Sequence, residues 1–410
     1  MPAEKIYRKD STESLIESLH ASRKRLSLIK NSDYLDDEKL PEDERSAVLN
    51  EIFNRNIRKK QLSRIISHIS PVLDGKHPTS ALIYGPTGSG KTVSLIHVLS
   101  TFCKVAKRHG VSFHYRYIDL TSPKTYFGAL NEVAIALDNS NRKYRKGIPI
   151  EFMQAKITKA MADYSGFLTL LIDEADNIKP NPDNLLTYLA KTLPRKISCR
   201  LILIMLTNRL DWEKMLDPRI LSFLKKTDII FEPYDAVDLL EILKLRAQKA
   251  LHTDKVNPAA LRKVAAYASR ETGDARKAVE LLTTAVHVAE ETSGILGVKE
   301  VDIAENRLEV DKSAELINAL AIQQRYALQA CYSIFKNGSS KATTGQAYEV
   351  YKRICGRQSC RSLTQRRFCD MISFLDLYGL INARVVSMGR YGKTREIMSS
   401  LPEQVIEGFL

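Results

Sequence analysis

The chain has 410 residues, 44% hydrophobic and 27% charged, which is too long for one core and excludes a fibrous or disordered protein in favour of a soluble globular one with two or three domains. Its formal net charge of +14 calls for a polyanionic partner, nucleic acid or an anionic membrane surface. The longest uninterrupted apolar run, residues 201–206, is far too short to span a bilayer, and the first five residues lack the apolar core of a signal peptide, so no membrane association is expected and a cytoplasmic or, if the source is eukaryotic, nuclear location is expected.

In chain order, residues 1–45 are charged and poor in aromatics, with a basic cluster at Arg23-Lys24-Arg25 and an acidic stretch over 33–44, and read as a flexible N-terminal arm. Helix begins near Glu42 and runs, broken, towards Ile69. An α/β alternation follows, with strands at 81–84, 113–120, 167–172, 201–206 and 227–231 and helices at 91–107 and 123–137. The strand at 167–172 is apolar except for Thr169, as in a sheet buried on both faces. Strands separated by helices imply βαβ units and a parallel sheet.

After Pro233 only helices are expected, at 235–251, 258–270, 274–292 and 299–308. A helix at 314–335 opens the last section. Thr343 with Gln346, and Ser362 with Gln365, carry capping-box spacing before two further helices, the second stopped by Gly379. Residues 380–387 alternate as a strand, 388–392 turn, and 394–398 return. Three helices followed by a β-hairpin is the winged-helix order. The expected domains are the arm at 1–45, an α/β nucleotide-binding domain at 46–233, a helical domain at 234–312 and the winged helix at 313–410. The six cysteines, Cys103, Cys199, Cys331, Cys355, Cys360 and Cys369, form no C-x-x-C pair. Four residues separate Cys355 from Cys360, but nothing completes a zinc site, and isolated reduced thiols are the reading.

Gly85-Pro86-Thr87-Gly88-Ser89-Gly90-Lys91-Thr92 fits G-x-x-x-x-G-K-[ST] between a strand and a helix. The glycines turn the backbone so that successive N–H groups face phosphates, and the helix N-terminus adds positive potential. Lys91 is expected at the β- and γ-phosphates and Thr92 on Mg²⁺, with ATP or ADP as the nucleotide. The matching acidic element is Leu170-Leu171-Ile172-Asp173-Glu174-Ala175-Asp176: Asp173 to hold Mg²⁺, Glu174 to polarise the attacking water. Asp176 receives no role beyond a helix cap or salt bridge. Asn208, at the end of the 201–207 strand, is placed to orient the water, with an ordinary turn residue as the alternative. Arg276 follows the N-cap Asp274 and either reaches the γ-phosphate or stays on a solvated helix face.

From Leu316 to the end, 4 Lys and 9 Arg stand against 6 Asp plus Glu, a local excess of +7. Thr364-Gln365-Arg366-Arg367 opens the third helix of the winged-helix pattern, the one that enters a major groove. The wing carries Arg384, Arg390, Tyr391, Lys393 and Arg395, and Arg390 at its tip suits a minor groove. Double-stranded DNA is the partner these residue types fit; a charged solvated surface or a protein contact is the alternative. A second basic cluster, Arg142-Lys143-Tyr144-Arg145-Lys146, is either another DNA contact or a charged loop.

Together these residues resemble the initiator clade of AAA+ ATPases, the archaeal family related to the first subunit of the eukaryotic origin recognition complex and to cell division control protein six. The resemblance rests on residues 85–92, residues 170–176, Leu206-Thr207-Asn208, Leu216-Asp217-Pro218-Arg219, Gly273-Asp274-Ala275-Arg276 and Gly389-Arg390-Tyr391-Gly392-Lys393-Thr394. It implies an AAA+ P-loop domain with a parallel five-stranded sheet, an all-α lid and a C-terminal winged helix. It also implies replication-origin DNA binding regulated by ATP, loading of the minichromosome maintenance helicase, contact with other initiator subunits, and weak ATP hydrolysis acting as a switch. Asn208 takes the sensor-one position and Arg276 the sensor-two position. Arg219 fits a trans-acting arginine, while Phe223 stands where eukaryotic relatives can carry another. Residues 121–147 correspond to the family's DNA-contacting helical insertion. Two rival readings are a clamp-loader-type ATPase, against which the basic wing argues, and a DNA-binding repressor or regulator in which ATP is a structural ligand without significant hydrolysis.

Overall fold

The computed structural model describes residues 27–36, 39, 42–122, 125–138, 147–177, 182–224, 227–336, 339–387, 393–401 and 405. The chain falls into two compact units, Met1–Val301 and Asp302–Leu410. In the first, strands β1 (Ala81–Tyr84), β2 (Phe113–Asp119), β3 (Phe167–Asp173), β4 (Arg200–Thr207) and β5 (Thr227–Ile230) form one parallel sheet in the order β2-β3-β4-β1-β5. The apolar runs land in its centre: β3 is buried throughout and β4 beyond its first residue. Successive side chains serve opposite layers. Leu82 and Leu170 join a core with helices Tyr126–Asp138 and Ile150–Met161. Ile83 and Leu171 join another with helices Lys59–Ile69 and Lys91–Arg108. Because β1 lies between β4 and β5, the carboxyl ends of β1, β3 and β4 meet beside a change in strand order, where open α/β sheets bind ligands.

Helices Ala236–Ala250, Pro258–Glu271 and Ala275–Glu291 follow, N-capped by Asp235, Asn257 and Asp274. The break expected near residues 309–313 is absent. One helix runs from Val298 to Ala319, and the division between the units falls within it. Residues 309–313 hold no Gly or Pro, and Ser313 Oγ donates back to Glu309 O at 2.7 Å, a bond the helix accommodates. The chain breaks instead at 320–321, where Gln324 Oε1 accepts from Ala321 N–H at 3.0 Å.

Part of the expected flexible arm is also ordered. Ser27 to Asp36 lies as a strap across the helical lid. The N–H groups of Leu28 and Ile29 donate to Glu290 Oε1, those of Lys30 and Asn31 to Ala250 O, and His252 N–H donates to Leu28 O. Arg246 Nη1 donates to Tyr34 O at 3.0 Å, and Leu28 and Leu35 are buried. Residues 1–26 lie outside the described residues.

In the second unit, helices Ile322–Lys336, Thr344–Arg357 and Gln365–Leu377 pack around Tyr332, Tyr351 and Phe368. A three-stranded antiparallel sheet completes it, with β6 (Ala342–Thr343), β7 (Ile381–Ser387) and β8 (Lys393–Ser399) in the order β6-β8-β7. The Thr343–Gln346 capping box forms. The Ser362–Gln365 box does not: Thr364 is the N-cap, accepting from Arg367 N–H, and the helix starts two residues later than that box requires. Among the described residues, no helix is long and apolar enough to cross a membrane.

Candidate functional site

The sheet order brings the glycine loop, the acidic segment and Asn208 together. The loop leaves β1 and enters helix Lys91–Arg108. Gly88 and Gly90 have φ of +69° and +83°, which side-chain-bearing residues rarely adopt. There is also no room for a Cβ: at Gly88 it would overlap the Asp274 carboxylate, and at Gly90 the Tyr234 hydroxyl.

Lys91 is buried, and its ammonium donates to Gly85 O at 2.7 Å, Pro86 O at 2.9 Å and Asn208 Oδ1 at 2.8 Å. Burial lowers its pKa, against the pull of Asp173 and Glu174. Ser89 Oγ donates to Pro86 O at 2.8 Å and closes the loop on itself.

Asp173, at the end of β3, organises the acidic side. Its Oδ2 accepts from Thr92 Oγ1 at 2.6 Å and from Tyr117 OH at 3.1 Å, and its Oδ1 accepts from Glu174 N–H at 2.9 Å. Glu174 turns out of the strand at φ +51°, a strained conformation for a non-glycine residue at a functional corner. Its Oε1 accepts from Asn208 Nδ2 at 2.6 Å. Burial raises the Glu174 carboxyl above its ordinary pKa, and the Asn208 bond works the other way. Among the described residues Asp176 serves as a hydrogen-bond acceptor for a strand end. It accepts from Thr207 Oγ1 at 2.8 Å, and that oxygen accepts from Arg209 N–H at 3.0 Å, which steadies the strand end carrying Asn208.

A hard divalent cation fits the Thr92 hydroxyl and Asp173 carboxylate, which present oxygens within 2.6 Å of each other beside the loop. Among the described residues no group of three or more His, Cys, Asp or Glu side chains could hold a metal by itself.

Arg276 opens helix Ala275–Glu291, where Asp274 Oδ1 accepts its N–H at 2.7 Å and Ala275 N–H donates to Gly88 O at 3.2 Å. Its exposed side chain lies near enough to Lys91 for its charge to lower the Lys91 pKa. Arg219 is exposed on helix Pro218–Leu224, with Asp217 Oδ1 accepting its N–H at 2.7 Å, and joins none of the contacts among the loop, Asp173, Glu174 and Asn208. The Phe223 side chain lies outside the described residues.

Sequence reasoning missed three members of this site. Tyr117 comes from β2 by the pairing of Tyr117 with Leu171 and Asp119 with Asp173. Tyr234 presses its hydroxyl on Gly90, and the Arg58 guanidinium stacks 3.8 Å over the Tyr234 ring from a backbone φ of +60°. The one local signal was the apolar-aromatic alternation of β2.

In the second unit, burial of Phe368, Met371, Ile372 and Leu375 turns the other face of helix Gln365–Leu377 outward. Thr364, Gln365, Arg366 and Arg367 are exposed at its first turn, and Arg384 is exposed on β7. Arg395 differs from expectation: its Nη1 donates to Cys369 O at 3.3 Å and Ser373 Oγ at 2.5 Å, so the guanidinium braces the helix. Arg390, Tyr391, the Lys393 side chain, Arg142, Lys143, Arg145 and Lys146 lie outside the described residues.

Three family profiles match in succession: an AAA domain over residues 74–212, the Cdc6 AAA+ ATPase-type lid domain over 240–306, and the CDC6 C-terminal winged helix domain over 315–408. The chain is 34% identical over 349 residues to the ORC1-type DNA replication protein of Pyrococcus horikoshii, covering 83% of this chain and 82% of that one. It is 31% identical over 355 residues to ORC1-type DNA replication protein 1 of Archaeoglobus fulgidus, covering 85% of each. The Orc1 protein of Aeropyrum pernix, solved in complex with DNA, superposes with a TM-score of 0.69 at 28% identity over 93% of this chain and 96% of that one. Cdc6p of Pyrobaculum aerophilum shares the fold with a TM-score of 0.53 at 19% identity, over 93% of this chain and 98% of that one.

Proposed function

This chain belongs to the ORC1-type DNA replication protein family, whose members join an AAA+ ATPase domain to a Cdc6-type lid and winged helix, and from that premise we propose that it is a replication initiator that binds origin DNA under the control of bound ATP, helps load the replicative helicase, and hydrolyses ATP slowly as a switch. Its working place is then the cytoplasm, on the nucleoid. Its protein partners are the minichromosome maintenance helicase and other initiator subunits.

The observation that carries this reading is the chain of bonds Lys91–Asn208–Glu174. The loop N–H groups and Lys91 bind and orient the phosphates. Thr92 and Asp173 would hold Mg²⁺, which would supply neutralisation of phosphate charge. Lys91 spends its three donor directions on two loop carbonyls and Asn208. A γ-phosphate at the loop would take a share of that ammonium, while Asn208 keeps Glu174 oriented to accept the proton of the attacking water. Arg276, held at the loop by Asp274, senses the same phosphate from the lid. The exposed Gln365, Arg366, Arg367 and Arg384 supply the phosphate and base-edge contacts to duplex DNA.

Nuclease protection of genomic DNA by the purified protein, with ATP and with ADP, tests the proposal. Discrete protected sites whose occupancy depends on the nucleotide are expected; uniform or absent protection in both states overturns it. The engagement of Glu174 by Asn208 also favours a second reading, a DNA-bound regulator with ATP as a structural ligand. Single-turnover hydrolysis separates the two.

A further inference from the structure

Helix Thr344–Arg357 ends in a Schellman motif. Cys360 N–H bonds to Cys355 O at 3.0 Å and Ser359 N–H to Gly356 O at 3.3 Å, while Ser359 takes the left-handed conformation at φ +51°. This backbone folds the side chains of the first and last residues of the motif onto each other, ordinarily as an apolar contact. Here both residues are cysteines. A single amide marks how close their sulfurs lie: Gln323 Nε2 donates to Cys360 Sγ at 3.9 Å, and Gln323 Oε1 accepts from Cys355 Sγ at 3.8 Å. Cys355 is buried, whereas Cys360 is partly exposed.

We propose that Cys355 and Cys360 form a dithiol modification site that closes to an intramolecular disulfide when it meets a small disulfide oxidant. The bond from Cys360 N–H to Cys355 O at 3.0 Å holds the two backbone positions together across the turn, the proximity that closure of a disulfide requires. The Cys360 thiolate attacks one sulfur of the oxidant and releases its other half as a thiol. The Cys355 thiolate then displaces the second half from Cys360. One S–S bond forms and one breaks, the protein gives up two electrons, and the two thiol protons leave with the two released thiols. Burial holds the Cys355 thiol above its ordinary pKa, so the second step quickens as pH rises.

The same Gln323 amide ties this dithiol to the start of the basic helix. It also donates to Arg361 O at 3.4 Å, and it accepts from Tyr351 OH, which in turn accepts from Leu363 N–H at 3.1 Å. Oxidation therefore acts on the turn that leads into Gln365–Leu377. Nothing in the site depends on the nucleotide or DNA reading.

The test uses the full chain, reduced and then treated with excess oxidised glutathione under native conditions, followed by thiol titration, intact mass and peptide mapping. Loss of two of the six thiols, a mass decrease of two hydrogen atoms and a Cys355–Cys360 cross-linked peptide are expected. Cys360→Ser should abolish this loss, and Cys369→Ser should leave it intact, with circular dichroism confirming that both variants fold. Six surviving thiols, a cross-link through any other cysteine, or a glutathione adduct that stays on Cys360 overturns the proposal.

Discussion

Asn208 donates its side-chain N–H to Glu174 Oε1 at 2.6 Å while its amide oxygen accepts from Lys91. One amide thus couples the Lys91 ammonium to the Glu174 carboxylate. Glu174→Gln should retain ATP within a few-fold and slow single-turnover hydrolysis by roughly 10²–10⁴-fold, the usual loss for a general base. An unchanged rate removes Glu174 from that role.

The acid limb of hydrolysis follows from the same bond. Burial raises the Glu174 carboxyl, so the ionised form that accepts a proton disappears at a higher pH than for an ordinary carboxylate. Hydrolysis should fall on acidification through that raised value. Asn208→Ala removes the bond that favours the ionised form and should move the limb to still higher pH. A limb that stays in place in the single-turnover pH profile refutes the coupling.

Tyr117 shares Asp173 Oδ2 with Thr92. Tyr117→Phe should leave ADP affinity in EDTA unchanged and reduce the gain in affinity conferred by Mg²⁺ about 5-fold, the scale of one hydrogen bond of about 1 kcal/mol. Equal losses with and without Mg²⁺, in a fluorescent-nucleotide titration, would show that Tyr117 serves packing alone.

Gly88→Ala meets two obstacles, a φ of +69° and the Asp274 carboxylate. The backbone cost is about 1–2 kcal/mol. Nucleotide affinity should fall at least about 10-fold, the effect of roughly 1.4 kcal/mol at the phosphate loop. Adding Asp274→Ala should relieve the overlap and recover part of that loss. Equilibrium titration of the parent and the two variants checks the order.

Arg366 and Arg395 should separate cleanly. Arg366 is exposed, and Arg366→Ala should reduce the slope of log affinity for DNA against log salt by about 0.9, one phosphate contact. Arg395 braces Cys369 and Ser373, so Arg395→Ala should lower the melting temperature of the second unit and leave the slope near that of the parent. The reverse pattern would exchange their roles.

Local chemistry made much of the fold and the phosphate loop legible in advance. Residues 85–92 announce their conformation through glycine spacing, and the apolar runs of β3 and β4 through burial on both faces. Tyr117 was invisible because its meeting with Asp173 depends on the register between β2 and β3, a tertiary property. Arg58 was invisible because nothing in the sequence marks an arginine at positive φ stacked on an aromatic ring. The helix from Val298 to Ala319 was divided because its apolar spacing weakens near residue 309, although no breaking residue is present. Arg395 read as a wing cation because residue type does not reveal which way a strand side chain is recruited.

The strap makes the helical lid discontinuous in sequence. Leu28 and Glu290, which bond to each other, are 262 residues apart. During synthesis the strap emerges first, yet its docking surface is complete only once helix Ala275–Glu291 has left the ribosome. Its docking therefore requires one of the longest loop closures in the chain and belongs among the late events of folding. A recombinant fragment started at residue 45 would lack the strap's bonds to Glu290, Ala250 and Arg246, so a fragment that keeps these contacts of the lid includes residues 27–36.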